Sequence, residues 1–269
     1  MSKPRPPAVA GRFYPSDPDE LRRDIDKYTE GARAKIKARA CLVPHAGYMY
    51  SGGVAGKVYR ALEIPPRILM LGPRHFPHGE SLAILSDRPW RTPLGDAQID
   101  TALAAELKQA FPLLREDAVA HETEHALEVQ LPFLQRLVGD FRFVPIVLGI
   151  ERFDLFDQLG RAIAKVQAAQ KEPFLILASS DMNHYESDAI TRVKDRYALD
   201  KIAALDPKGL HEVIRAKEIS MCGYGPAVVM LTAMRALGAK QAEIVAYATS
   251  AEVSGDYDWT VGYAGALVS

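Results

Sequence analysis

Short, almost wholly apolar runs recur along this chain, each separated from the next by a longer amphipathic or polar stretch. Residues 39–43, 67–71, 143–148 and 174–178 read as strands buried on both faces, and 243–248 and 262–268 as two more near the C-terminus. Pro145, inside the third run, predicts an edge or bulged position because it has no N–H for the ladder. Helical patterns lie between the runs, at 17–28, 97–110, 122–137, 152–169, 189–204, 208–216 and 224–237. The first follows Ser16 as a cap and carries Asp17, Asp19 and Glu20 in its opening turns. Strands alternating with helices predict an α/β fold, a layered sheet of mostly parallel strands flanked by helices. No repeat and no Gly/Ser- or Pro-rich linker divides the sequence, so residues 1–269 are expected to form one domain.

Composition removes several function classes. Hydrophobic residues at 48% and charged residues at 25% are globular proportions, unlike those of a disordered chain. Lys and Arg number 33 against 34 Asp and Glu, a net charge of −1 that predicts no nucleic-acid partner. No apolar run approaches the ~18 residues of a membrane helix. Residues 1–7 are basic and proline-rich without the apolar core of a signal peptide. Cys41 and Cys222 are too few for a disulfide framework. The expectation is a cytoplasmic protein with neither a membrane nor a nucleic-acid partner.

The chemistry-bearing residues follow the strand runs. Open α/β sheets place ligands beyond the carboxyl ends of their strands. The first run ends in Val43-Pro44-His45-Ala46-Gly47-Tyr48, the second in Leu71-Gly72-Pro73-Arg74-His75, and the fourth in Ser179-Ser180-Asp181-Met182-Asn183-His184. Three of the seven histidines and one aspartate are thus delivered to one expected edge. That grammar suits a metal or acid–base site, although a strand-end histidine alone is more often structural, and Asp181 alone can cap a turn.

Residues 121–128, His-Glu-Thr-Glu-His-Ala-Leu-Glu, read as the start of a helix. His121-Glu122-Thr123-Glu124-His125 formally matches the zinc-protease pattern, but it sits where helical geometry is only beginning. His125 and Glu128, three apart, are expected on one face, lining or supporting the site. Cys222, between Met221 and Gly223-Tyr224-Gly225-Pro226, lies in a loop before an apolar helix, a setting that favours thiolate chemistry. Cys41 falls inside a strand run and is expected to pack as a small hydrophobe.

These segments together resemble the Memo family, whose bacterial and archaeal members are called AmmeMemoRadiSam system protein B. The resemblance rests on Pro44-His45-Ala46-Gly47-Tyr48, Leu71-Gly72-Pro73-Arg74-His75, Trp90-Arg91-Thr92-Pro93-Leu94-Gly95, Glu124-His125-Ala126-Leu127-Glu128, Ser179-Ser180-Asp181-Met182-Asn183-His184-Tyr185 and Cys222-Gly223, in that order. It implies a fold related to the class III extradiol dioxygenases and a non-haem mononuclear metal site. His45, His75 and Cys222 would be the metal ligands, with Asp181 and His184 as catalytic acid–base groups beside them. Two departures stand out: Gln130 where members often carry histidine, and Arg74 where others have serine.

The function expected from this is a metal-dependent, dioxygenase-like oxidoreductase. Its cofactor would be one ion, iron or copper ahead of zinc, because sulfur among the ligands disfavours magnesium and calcium. The alternative is a non-catalytic module binding a peptide or phosphopeptide in the same cleft, as eukaryotic Memo proteins are known as adaptors. A zinc hydrolase is the minor alternative. The ligand, small molecule or peptide, is not specified by any residue pattern.

Overall fold

The computed structural model describes residues 3–269. Among these, eleven strands form one sheet: β1 (Ala40–Val43), β2 (Arg67–Pro73), β3 (Leu82–Ile84), β4 (Trp90–Thr92), β5 (Gly95–Ile99), β6 (Arg115–Glu116), β7 (Arg142–Leu148), β8 (Leu175–Ser179), β9 (His184–Glu186), β10 (Ala242–Thr249) and β11 (Thr260–Val268). The main order is β10-β11-β1-β8-β2-β7-β3-β6, with β5 also on β7, β4 on β5, and β9 on β11. Its centre, β1-β8-β2-β7, is parallel. The pairs β1–β11, β10–β11 and β3–β7 beside it are antiparallel. This is the mixed α/β architecture anticipated from the apolar runs.

Each central strand serves two cores, which is why its sequence is apolar throughout. Ala40, Leu42, Leu69, Leu71, Ile176 and Ala178 face one core, built with helices Phe153–Ala169 and Tyr224–Ala236. Their alternates Cys41, Val43, Ile68, Met70, Leu175 and Leu177 face the other, built with Pro18–Tyr28 and Tyr48–Ala61. Cys41 is fully buried there, as its place in the run implied. No helix is long and apolar enough to cross a membrane among the described residues.

Four local expectations are corrected. Pro145 lies in the interior strand β7, not at an edge. One side of β7 pairs throughout with β2, while the other is shared by β5 at Arg142–Phe143 and β3 at Ile146–Leu148. The proline falls in the gap between those two partners, where no ladder bond is lost. The stretch 97–110 divides, with β5 ending at Ile99 and Asp100 capping helix Thr101–Ala110. Asp17, not Ser16, caps the first helix by accepting from Asp19 and Glu20 N–H. The stretch 122–137 is not one helix: a single turn ends at Glu122, a 3₁₀ turn covers Glu128–Gln130, and a new helix runs Leu131–Leu137 with Pro132 at its start.

Helix Tyr48–Ala61 lay outside the helical patterns because Gly52, Gly53 and Gly56 weaken its propensity. Gly56 is required by packing, since a Cβ there would collide with the Tyr28 carbonyl.

The N-terminal segment is tied to the 121–128 stretch by a buried ion pair. Arg5 donates to Glu128 Oε2 at 2.6 Å, to the His121 carbonyl at 2.7 Å and to the Glu124 carbonyl at 2.7 Å, with its guanidinium 4.0 Å from the Trp90 ring centroid. Glu128 also accepts from Ala8 N–H, Val9 N–H and the Tyr14 hydroxyl. Removing one partner of such a pair strands the other charge in the interior. Glu128→Ala is therefore expected to cost about 3–5 kcal/mol in urea unfolding. A loss below about 1 kcal/mol would show that this pair does not anchor the segment.

Candidate metal centre

Parallel pairing of β1 and β2 with β8 brings three carboxyl ends to one edge of the sheet. Beyond them, one cavity of about 650 Å³ is lined by His45, His75, His125, Asp181 and His184. Aromatic residues, among them Phe13, Tyr14, Tyr28, Tyr50 and Tyr263, form much of its wall.

His45, His75 and His125 each offer a ring nitrogen within 4.8 Å of the others, a group that can hold a metal ion. The His75 and His125 rings stack at 4.5 Å, and the His45 ring stands edge-on to both, at 5.1 and 5.6 Å. Burial, reinforced by the charge of His75, holds the His45 pKa well below the usual imidazole range. Burial, together with the charge of His45, brings His125 to about 4. Both rings are therefore neutral, ligand-ready imidazoles at pH 7.

His75 differs because it has an anionic partner. Glu124, almost fully buried, accepts from His75 Nδ1 at 2.9 Å and His75 N–H at 2.7 Å. It also accepts from the backbone N–H of His125 and Ala126, both at 2.8 Å. Burial alone would lower the His75 pKa, but the Glu124 hydrogen bond and charge outweigh it and raise it. Burial alone would likewise raise Glu124, yet the bond to His75 and the two imidazole charges bring it down to about 2. The pair is a carboxylate–histidine arrangement that leaves Nε2 of His75 for the cavity.

Asp181 is buried and accepts from the backbone N–H of His45 at 2.7 Å and Ala46 at 3.3 Å. Burial raises its pKa, with His184 and the two amides opposing. Half-buried His184 donates from Nδ1 to the Ser220 carbonyl at 2.9 Å, which leaves its Nε2 as an acceptor. Cys222 Sγ lies 3.3 Å from His45 Nε2. Its loop approaches β8 closely because Gly223 has no Cβ; one would collide with the Ser179 carbonyl and Ser180. Burial pushes the Cys222 thiol pKa up, and the charge of Asp181 adds to this.

His45, His75, His125, Asp181 and His184 therefore converge on the cavity, whereas Cys222 reaches only His45 among the imidazoles. It does not line the cavity, and the third donor of the group within 4.8 Å is His125, in the place expected for Cys222. Glu128 is turned away from the cavity and spent on Arg5 and the N-terminal backbone. His121 also points elsewhere, with Nδ1 on the Asp117 carbonyl and its ring against Trp90, so the zinc-protease helix is not formed. Arg74 folds back to the Gly79 carbonyl and does not line the cavity. Sequence reasoning missed Glu124 as the carboxylate beneath the imidazoles. The signal for it was Pro132, which marks a new helix start and makes 123–130 a turn segment able to aim Glu124 and His125 together.

Comparison with known proteins gives the family. A family model described as Memo-like protein matches residues 5–267. MEMO1 family protein MK0963 of Methanopyrus kandleri is 39% identical over 274 residues, covering 97% of both chains. A MEMO1 family protein of Ignicoccus hospitalis is 42% identical, covering 97% of this chain and 96% of its own length. The solved structure of uncharacterized protein JW3007 from Escherichia coli K12 superposes with a TM-score of 0.56 at 14% identity, covering 84% of this chain and 99% of that one, a likeness of fold. With that match spanning nearly its whole length, the chain belongs to the Memo family.

Proposed function

We propose that this protein is a mononuclear non-haem metalloenzyme of the oxidoreductase class, with dioxygenase-like chemistry. The observation that carries the reading is the set of three imidazoles within 4.8 Å at a cavity whose wall also holds Asp181 and His184. His45 and His75 serve as ligands, Cys222 as the thiolate ligand, and His125 as a neighbouring imidazole donor. The donor set fits iron or copper, with zinc possible, and suits magnesium or calcium poorly. When bound, such an ion supplies Lewis acidity and, for iron or copper, redox activity.

The chain's own groups do the rest. Asp181 holds the backbone at His45 and Ala46, fixing the loop after β1. His184, its Nδ1 committed to the Ser220 carbonyl, presents Nε2 to take or return a proton on a small-molecule ligand in the cavity.

A second reading, a peptide- or phosphopeptide-binding module in the same cleft, draws on the exposed Tyr185 and Trp259 rings, which stack at 5.5 Å beside the cavity. A zinc hydrolase of the protease type has no support from the placement of His121.

Metal analysis of protein purified without added metal, followed by oxygen-consumption screening, tests the enzyme reading. His184→Ala is expected to keep metal near wild-type occupancy and lose turnover, while His45→Ala loses both. Equal metal loss in the two variants would make His184 a ligand instead. Absence of oxygen-dependent turnover in the loaded wild type, alongside tight peptide binding, would favour the second reading.

The thiol gives an independent test. Its raised pKa means Cys222 is protonated near neutrality, so ligation as thiolate must release that proton. The wild type is therefore expected to release about one proton more per bound ion than Cys222→Ser, and its affinity to rise more steeply with pH. Calorimetry in buffers of different ionisation enthalpy reads this directly. Cys222→Ser is also expected to weaken iron or copper binding at least ~10-fold, and Cys41→Ser to leave it unchanged. Equal proton release and affinity in wild type and Cys222→Ser would remove the cysteine from the ligand set.

A further inference from the structure

We infer that Ser179 and Gln130 are positioning residues that lock His45 into the tautomer carrying its proton on Nδ1, so that the Nε2 lone pair faces the cavity. The tautomer follows from the hydrogen bonds at Nδ1 and leaves Nε2 an acceptor for the Cys222 thiol 3.3 Å away; its consequence for ligand binding rests on the metal reading proposed above.

Two carbonyl oxygens decide the polarity of this hydrogen-bond chain, because a carbonyl only accepts. One end of the Gln130 amide lies 2.9 Å from the Pro44 carbonyl, so that end is the NH₂ group. The same nitrogen donates its other proton to Ser179 Oγ at 3.0 Å. Gln130 Oε1 accepts from the Tyr59 hydroxyl at 2.7 Å, completing the amide's bonds. Ser179 owns a single proton, and its hydroxyl lies 2.7 Å from the Ala126 carbonyl, which again only accepts. With that proton committed, Ser179 can offer His45 Nδ1, 2.9 Å away, nothing but a lone pair. The imidazole must therefore be the donor at Nδ1.

The opposite tautomer would require Ser179 to turn its proton to Nδ1 and deprive the Ala126 carbonyl of its hydroxyl donor. Gln130, Ser179 and His45 are all buried, where a lost partner costs about 1–3 kcal/mol. The chain also joins three of the segments that frame His45. Pro44 precedes it, Ser179 ends β8, and Ala126 adjoins His125. Gln130 is thus more than a departure from the family pattern: as a neutral amide it donates twice and accepts once, which these partners demand.

The test begins on metal-free protein. Nitrogen-15 spectra of the histidine rings near pH 8, with His45 assigned by loss of its signals in His45→Asn, are expected to show a protonated Nδ1 and an unprotonated Nε2. The reverse pattern in the wild type overturns the inference. Ser179→Ala is expected to give mixed tautomers and a 10- to 100-fold loss of Co²⁺ affinity. Ser179→Thr, which keeps the hydroxyl, is expected to retain the wild-type tautomer. An unchanged His45 spectrum in Ser179→Ala would refute the positioning role. Should the wild type show the Nδ1–H form yet bind no Co²⁺, the tautomer lock stands and the metal reading fails.

Discussion

Parallel pairing of β1 and β2 with the same strand, β8, decides where the chemistry of this protein can lie. Were either neighbour antiparallel to β8, its carboxyl end would fall at the opposite edge, a strand length away. Four or five residues at ~3.3 Å each would then separate His45 or His75 from Asp181. The parallel register, Val43 beside Ser179 and Leu71 beside Ala178, instead delivers all three at one edge. The apolar runs that permit this pairing are the same residues that fill both cores, so fold stability and site placement rest on one set of side chains.

What could be read from the sequence follows from range. Strand-end histidines are local features: an apolar run, then Pro-His or Pro-Arg-His, and the parallel sheet does the rest. The helical patterns from 152 to 237 are also local, and they reappear within a few residues of the expected bounds. Helix Tyr48–Ala61 was hidden because its glycines answer to Tyr28, distant in sequence, rather than to helix propensity. Glu124 was hidden for a related reason. Helical periodicity over 122–137 would put Glu124 and Glu128, four apart, on one side as equals, whereas the turn splits them. Glu124 goes under the imidazoles, and Glu128 goes to a partner more than a hundred residues earlier. No period in the sequence encodes the choice between two glutamates four apart; the buried Arg5 makes it, through one carboxylate and two backbone carbonyls.

That split gives the site two separately braced halves. On one side Glu124 binds the ring and backbone of His75 and the backbone of His125. On the other, the loop after β8 and the loop carrying Cys222 are stitched together. Ser220 N–H and hydroxyl both lie 3.1 Å from Asn183 Oδ1, and His184 N–H donates to Ser220 Oγ. Gly223 N–H donates to Ser180 Oγ at 2.9 Å. Asp181, His184 and Cys222 are thereby set by one network, and His75 and His125 by another.

His45 stands between them, and its three kinds of contact explain why it is the most constrained imidazole of the group. Its backbone N–H belongs to Asp181, its Nδ1 to Ser179 and its Nε2 to Cys222, while its ring stands edge-on to those of His75 and His125. An ion held here would draw on both braced halves through His45, which is hydrogen-bonded to one and stands with its ring edge-on to the imidazoles of the other. Metal selection would then depend on which half supplies the remaining donor. Cys222 offers a soft, oxidisable sulfur whose proton must first be displaced. His125 offers an imidazole already neutral at pH 7, because burial brings its pKa to about 4. The thiolate favours copper or iron and adds pH dependence and peroxide sensitivity to binding; the imidazole adds neither to what His75 already brings. Proton release and redox sensitivity therefore report the same structural fact, the side of His45 from which the third ligand comes.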